Sequence, residues 1–285
     1  MGVAFRNISN LALRLTTKTS QLMKFTQISL VFALIALCSL GCKKETISEI
    51  SSPFIFVEAK NSVLYFHYSH VDSVVSGDSG YVDFSSALSI YDSPHVLATI
   101  TGGDLGGANN DSVYTSHMDQ YGITNLPFFQ CNLSTLPIGD AITNHSLTSS
   151  VLVNADYELD LTDPSKIVIN TTTEFFENAQ DSFFLTAYVI VDSIVSNQAG
   201  HPDGVATNHR RAIVDVGRVK GFGPQYHGYK VAAGVIEKGY KFNLTFEADR
   251  LAAWTDNNLI SVALVISKRN PTTNAPIFVN ANTQH

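Results

Sequence analysis

Cysteine is nearly absent from the part of this chain that can fold. The 285 residues hold three, and two of them, Cys38 and Cys42, fall in the N-terminal segment. Only Cys131 remains further on, so no disulfide can staple a folded domain internally and no Cys-x-x-Cys can carry out dithiol exchange. Basic clusters are missing too: 18 Lys and Arg face 25 Asp and Glu, giving a net charge of −7. A surface of that sign repels phosphate backbones and argues against nucleic acid as a partner. The sequence contains no Gly-x-Ser-x-Gly and no His-Glu-x-x-His, and its glycine-rich loop lacks the spacing and the lysine of a phosphate cradle. No cofactor is expected from any of these signals.

What is present begins with Met23-Lys24, a short basic start that is followed by an almost continuously apolar stretch from Ile28 to Leu40. That stretch is too short to span a bilayer, and small Gly41 precedes Cys42-Lys43-Lys44-Glu45. The pattern describes a secretory signal peptide over residues 1–41, with Met23 as an alternative start. A transmembrane anchor with an incidental Cys is the competing reading. The cut before Cys42 resembles a bacterial lipoprotein signal, which implies acylation of Cys42 and a lipidated linker over 42–52. Lys43-Lys44-Glu45 resembles the export tag of Bacteroidetes surface lipoproteins, which implies an outer-membrane, outward-facing location. Loss of the leader removes Arg6, Arg14, Lys18 and Lys24 and no acid, taking the net charge from −7 to −11.

Beyond the linker, residues 53–57, 62–68 and 96–100 are apolar, β-branched and aromatic runs of strand length. Between the last two, Tyr81, Phe84, Leu88 and Tyr91 recur at i, i+3, i+7 and i+10, the stripe of one helix. Asp111 or Ser112 can cap a second helix that runs to Tyr121 and stops at Gly122. An apolar strand containing Pro127 follows over 123–129. Strand, helix, strand, helix, strand predicts an α/β layer with parallel pairing over 53–145. From there to residue 285 the pattern changes to strands near 151–161, 166–175, 182–195, 209–219, 240–247, 259–268 and 275–280, with one short helix at 249–254. Turn clusters separate them, which predicts an antiparallel sandwich over 146–285. The fold class expected is α+β.

Tyr121-Gly-Ile-Thr-Asn-Leu-Pro127-Phe-Phe resembles the thioredoxin-fold segment in which a helix end leads into a strand opened by a cis-proline. The matching redox loop here, residues 67–80, has no cysteine, so the resemblance implies the fold and denies the chemistry. Further matches are Phe184-Leu-Thr-Ala-Tyr-Val-Ile-Val-Asp-Ser-Ile-Val-Ser-Asn-Gln198, Asn208-His-Arg-Arg-Ala212, Trp254-Thr-Asp-Asn-Asn-Leu259 and Pro276-Ile-Phe-Val-Asn-Ala281. With these the chain is similar to the Bacteroidetes outer-membrane lipoproteins of about 28 kilodaltons. That resemblance implies a thioredoxin-like module lacking its Cys-x-x-Cys, followed by an immunoglobulin-like sandwich.

Candidate sites are sparse. His67, His70 and Asp72 cluster where the redox loop would be, and Asp104 and Asp111 sit in the glycine-rich loop; metal binding there would need more ligands in fixed register. His201, Asp203 and His209 form a second loose group. Asp72-Ser-Val, Asp111-Ser-Val and Asp192-Ser-Ile fit a short O-glycosylation pattern but also ordinary turn chemistry. Cys131 on an apolar strand reads as a small buried thiol. Tyr68, Pro127, Phe128 and Phe129 are the expected contact residues of a groove for an extended peptide. The expected role is a tethered, non-catalytic binding or scaffold protein for protein, peptide or glycan partners. The alternative is a hydrolase assembled from dispersed His and Asp residues.

Overall fold

The computed structural model describes residues 54–74, 80–91, 95–103, 105, 109–146, 150–199 and 206–284. The leader, Cys42, Asp104, His201 and Asp203 lie outside them. No helix among the described residues is long and apolar enough to cross a membrane.

The described residues are mostly strand with few helices. In the first half, β1 (Leu64–His70) leads to α1 (Tyr81–Tyr91), β2 (Val96–Gly102), α2 (Asn110–Tyr121), β3 (Phe128–Cys131) and α3 (Ile138–Ser146). Strand β1 pairs with β2 in parallel and with β3 antiparallel. Both faces of β1 are buried, which is why its sequence is a nearly unbroken apolar run rather than an alternating one. Val63 and Tyr65 pack with Phe84 and Ala87 of α1 and Ala141 of α3. Leu64, Phe66 and Tyr68 point the other way and pack with Val113 of α2. Gly122 ends α2 at φ 62°, with its N–H on the Met118 carbonyl, as a left-handed helix stop requires. The Leu126-Pro127 peptide is cis.

The second half supplies β4 (Val153–Asp160), β5 (Lys166–Phe175), β6 (Ala179–Val191), β7 (Ile194–Asn197), β8 (Ala206–His209), β9 (Ala212–Val216), β10 (Arg218–Val219), β11 (Tyr229–Ile236), β12 (Lys241–Asp249), β13 (Ile260–Arg269) and β14 (Pro276–Asn282). An antiparallel sheet in the order β10-β12-β5-β4 packs on the rest through Phe175 against Phe183 (4.9 Å between centroids) and Phe246 against Tyr229 (5.6 Å). Strands β7 and β8 form a separate hairpin.

The larger sheet crosses the border expected at 145/146. Its order is β14-β13-β6-β9-β2-β1-β3, with β11 on the stretch of β6 that β9 leaves uncovered. The join is the parallel pair Thr99–Ala212, reinforced by the Thr99 N–H on the Arg211 carbonyl (2.9 Å) and the Thr99 hydroxyl on the Arg210 carbonyl (3.2 Å). One apolar cluster accordingly contains Phe66, Ile100 and Val113 together with Tyr188, Ile213, Ala263 and Ala281. Residues 49–285 therefore form one compact unit. Local expectations are corrected as well. Residues 54–57 and 123–127 form no strand, residues 250–254 form no helix beyond the end of β12, and α3 and β11 were not foreseen.

Candidate functional site

The end of β1 shows how a two-residue period sorts side chains. His67 and Ser69 face α1, whereas Tyr68 and His70 face α2. This separates His67 from His70, so the two cannot share a metal ion with Asp72. His70 is half-buried against Tyr114, and its Nδ1 takes the Asp72 N–H at 3.2 Å. Asp111 accepts the Gly103 N–H (2.9 Å), and Asn110 donates to the Thr101 and Gly103 carbonyls, so these side chains hold the segment from Thr101 to Gly103 where the glycine-rich stretch begins. Among the described residues no cluster of three or more His, Cys, Asp or Glu is placed to hold a metal ion.

On the α2 face, Tyr68 is fully buried, which corrects its expected role as an exposed contact residue. Its hydroxyl lies 3.0 Å from His117 Nδ1 and donates to Gln130 Oε1 at 2.7 Å. His117 Nε2 meets the Tyr188 hydroxyl at 3.0 Å, and Tyr188 donates to the Tyr226 carbonyl at 2.6 Å. Burial, and secondarily His227, hold the His117 pKa well below the usual histidine value, so this imidazole is neutral. The chain from Gln130 to Tyr226 is a continuous polar network inside an apolar core; with both tyrosine hydroxyls donating outward, neutral His117 donates to only one of them and its other ring nitrogen receives no proton.

The α1 face differs. His67 is 3% exposed and stacks between Phe129 (4.9 Å) and Phe84 (5.4 Å), yet neither ring nitrogen has a hydrogen-bond partner. Desolvation alone lowers its pKa to about 3. A Cβ on Gly80 would come within 2.8 Å of Pro127 Cβ and 3.0 Å of His67 Nε2, so only glycine lets the start of α1 approach this closely. The imidazole also lines a cavity of about 20 Å³ with Thr99, Thr101, His209 and Arg210. That space matches a single water molecule, and none of the described residues lining it is a carboxylate.

Above it, the β1–α1 connection is tied down by a residue from the far half. Buried Gln198 donates to the carbonyls of His70 (3.1 Å), Val71 (3.2 Å) and Ser73 (3.1 Å), while the Ala199 N–H bonds the Val71 carbonyl (2.7 Å). Nothing in the spacing of Gln198 announces this contact, because it lies more than a hundred residues from the loop it holds.

Pro127, Phe128 and Phe129 are half-buried where β3 begins. Phe129 stacks on Tyr65 (5.7 Å) and His67, while Phe128 tilts against Tyr68 (5.9 Å). Strand β3 ends the eight-stranded sheet; beyond it the described residues add one bridge, Cys131 to Thr135. Cys131 is a free thiol, fully buried, and desolvation pushes its pKa up to about 12, the opposite of an activated thiolate.

Among solved structures, the chain is similar to HBP35 of Porphyromonas gingivalis, with a TM-score of 0.59 at 14% identity, over 80% of this chain and 76% of that one. At that identity the likeness is one of fold, and its extent takes in both the β1–β3 region and the β-rich half. A domain of the outer membrane lipoprotein Omp28 from Porphyromonas gingivalis is matched over 46% of this chain and 89% of that one at 14% identity, but its TM-score of 0.24 carries no argument. No protein-family model matches the chain, and no curated protein sequence does.

Proposed function

We propose that this chain is an outer-membrane lipoprotein, anchored through an acylated Cys42 and facing outward, that binds protein, peptide or glycan partners without catalysing a reaction. The leader followed by Cys42-Lys43-Lys44-Glu45 supports the anchor and the address. The first half is read as thioredoxin-like: a parallel β1–β2 pair, β3 antiparallel to β1 after a cis-proline, and helices on both faces support that reading. The antiparallel four-stranded sheet packed on the larger one supports an immunoglobulin-like second half.

The observation that carries the binding role is the outer edge of β3. The N–H and C=O of Phe129 point away from β1, whereas those of Cys131 are taken by Ser134, and an extended peptide can add as a further strand at Phe129. Half-buried Pro127, Phe128 and Phe129 give such a peptide apolar footing. A hydrolase would need a nucleophile or activated water with a base and an orienting acid. Among the described residues around His67 and His209 the lining holds no acid, and the space is that of one water. Two experiments test the proposal. Mass spectrometry of the N-terminal peptide is expected to find diacyl- or triacyl-modified Cys42; an unmodified Cys42 or a retained leader contradicts the anchor. Immobilised protein exposed to outer-membrane extract is expected to retain a specific protein, peptide or glycan. No retention, together with turnover in a broad hydrolase screen, contradicts the binding role.

A further inference from the structure

Beside the turn between β6 and β7 lies a pocket of about 240 Å³, roughly eight water volumes at ~30 Å³ each. Trp254 lines it at 8% exposure. Arg250 fixes the backbone of Trp254 by two bonds to its carbonyl (3.1 and 2.8 Å), but the indole N–H has no hydrogen-bond partner among the described residues. That N–H is not buried without a partner but reaches solvent. Leu105 and Leu259 add apolar wall, and Ser193, Thr255 and Asp256 add polar groups. Ser193 sits at φ 63°, a left-handed conformation rare for a side-chain-bearing residue and one that recurs at ligand sites. Asp256 uses Oδ1 to cap the turn at Asn258 N–H (2.9 Å), which leaves its second oxygen without a protein donor among the described residues. Asp192 is already consumed by Arg210 (2.8 and 3.2 Å) and the Arg211 N–H (3.1 Å).

The pocket thus offers the Trp254 ring, the Ser193 hydroxyl and the exposed Thr255 hydroxyl and Asp256 carboxylate oxygen beside apolar walls, and no cation lines it among the described residues. Phosphates and carboxylates have nothing there to neutralise them. A purely apolar guest would strip water from the Asp256 oxygen and the two hydroxyls without replacing it. A ligand of this size that fits must present C–H faces beside hydroxyl groups that both donate and accept. We infer that this pocket binds one ring of a neutral sugar, a hexose or N-acetylhexosamine, through Trp254, Ser193, Thr255 and Asp256. The inference rests on the binding role proposed above and names one ligand class for it, while sharing no lining residue with the β3 edge.

Trp254 is the only tryptophan in the chain, so its emission reports this pocket alone. Titration of the folded protein with glucose, galactose and N-acetylglucosamine is expected to give a saturable emission change for at least one, with a dissociation constant on the order of 1 mM or tighter. Asp256→Asn keeps an oxygen to cap the turn but replaces the free carboxylate oxygen, and is expected to weaken that binding about tenfold. Calorimetry on Trp254→Phe, which removes only the indole donor and part of the ring, is expected to show weakened binding of the same sugar. The inference is overturned by no saturation with any of the three, or by equal affinity in wild type and Asp256→Asn. Peptide capture at the β3 edge with no sugar response would overturn this inference and leave the strand-edge reading standing.

Discussion

Tyr68 and His67 are neighbours on β1 and meet opposite fates. On the Tyr68 side, every polar atom of a tyrosine–histidine–tyrosine chain has a polar neighbour within 3.0 Å. On the His67 side, an equally buried imidazole has none. Both histidines are kept neutral by desolvation, so charge does not distinguish them. What differs is the surroundings of the buried polar group: one face joins a continuous network, whereas the other leaves two ring nitrogens without a protein partner beside a water-sized cavity, at a cost of up to about 1–3 kcal/mol. This face also carries the close Gly80–Pro127 contact and lies beside the β3 end of the sheet, the edge proposed above to bind.

The sharpest way to break the comparison is His117→Leu. It strips partners from Tyr68 and Tyr188 and disturbs the packing of Phe66, and is expected to cost about 3 kcal/mol, lowering the melting temperature by roughly 6–12 °C in calorimetry. A loss below about 1 kcal/mol would mean the network is ornamental.

Acid gives the next effect. His67 with a pKa of about 3 and His117 well below 6.5 are both depressed relative to the unfolded chain, so the unfolded state binds more protons. Their contribution is therefore intact above pH 6.5 and lost as the pH falls towards the folded values, at about 1.4 kcal/mol per pH unit for each histidine. His227, lowered to about 4 by burial and then by Arg269, acts in the same sense. Urea unfolding at pH 7, 6 and 5 is expected to show a slope in wild type that is shallower by one histidine in His67→Phe.

At pH 7 the same His67→Phe change is expected to stabilise the protein by about 1 kcal/mol, since it keeps a ring between Phe84 and Phe129 and removes two unpartnered nitrogens. Destabilisation by that amount would show that His67 is satisfied after all. The smallest effect concerns Cys131, buried on the His67 side. Insulin reduction is expected to stay at background and to be unchanged by Cys131→Ala; thiol-dependent turnover above background would contradict the redox-silent reading.

Much of this fold was legible locally. The stop of α2 at Gly122, the whole of β5, and the link between Tyr121-Gly122 and Pro127 follow from short-range signals. The single sheet did not, because the run that reads as a buried parallel strand, β2, gives no sign that its free edge meets β9 through Thr99 and Ala212. Strand β11 was hidden by Ala232-Ala-Gly234, where alternation fades just after a bulge at Val231 shifts the register. Of the candidate site, Pro127, Phe128 and Phe129 came from a motif. Gln198 and the isolation of His67 depend on contacts that only the assembled fold creates. Period-2 geometry could have separated His67 from His70 in advance, since residues three apart on a strand face opposite sides.

The central claim, that the β3 edge beside His67 is a binding surface, is tested most directly by site-specific photocrosslinking in whole cells. A benzoylphenylalanine replaces Phe129 in one protein and the exposed Val235, on β11, in another. Discrete crosslinked products from position 129 and none from position 235 are the predicted result. Equal labelling at both positions, or none at 129 in folded protein, would contradict the account.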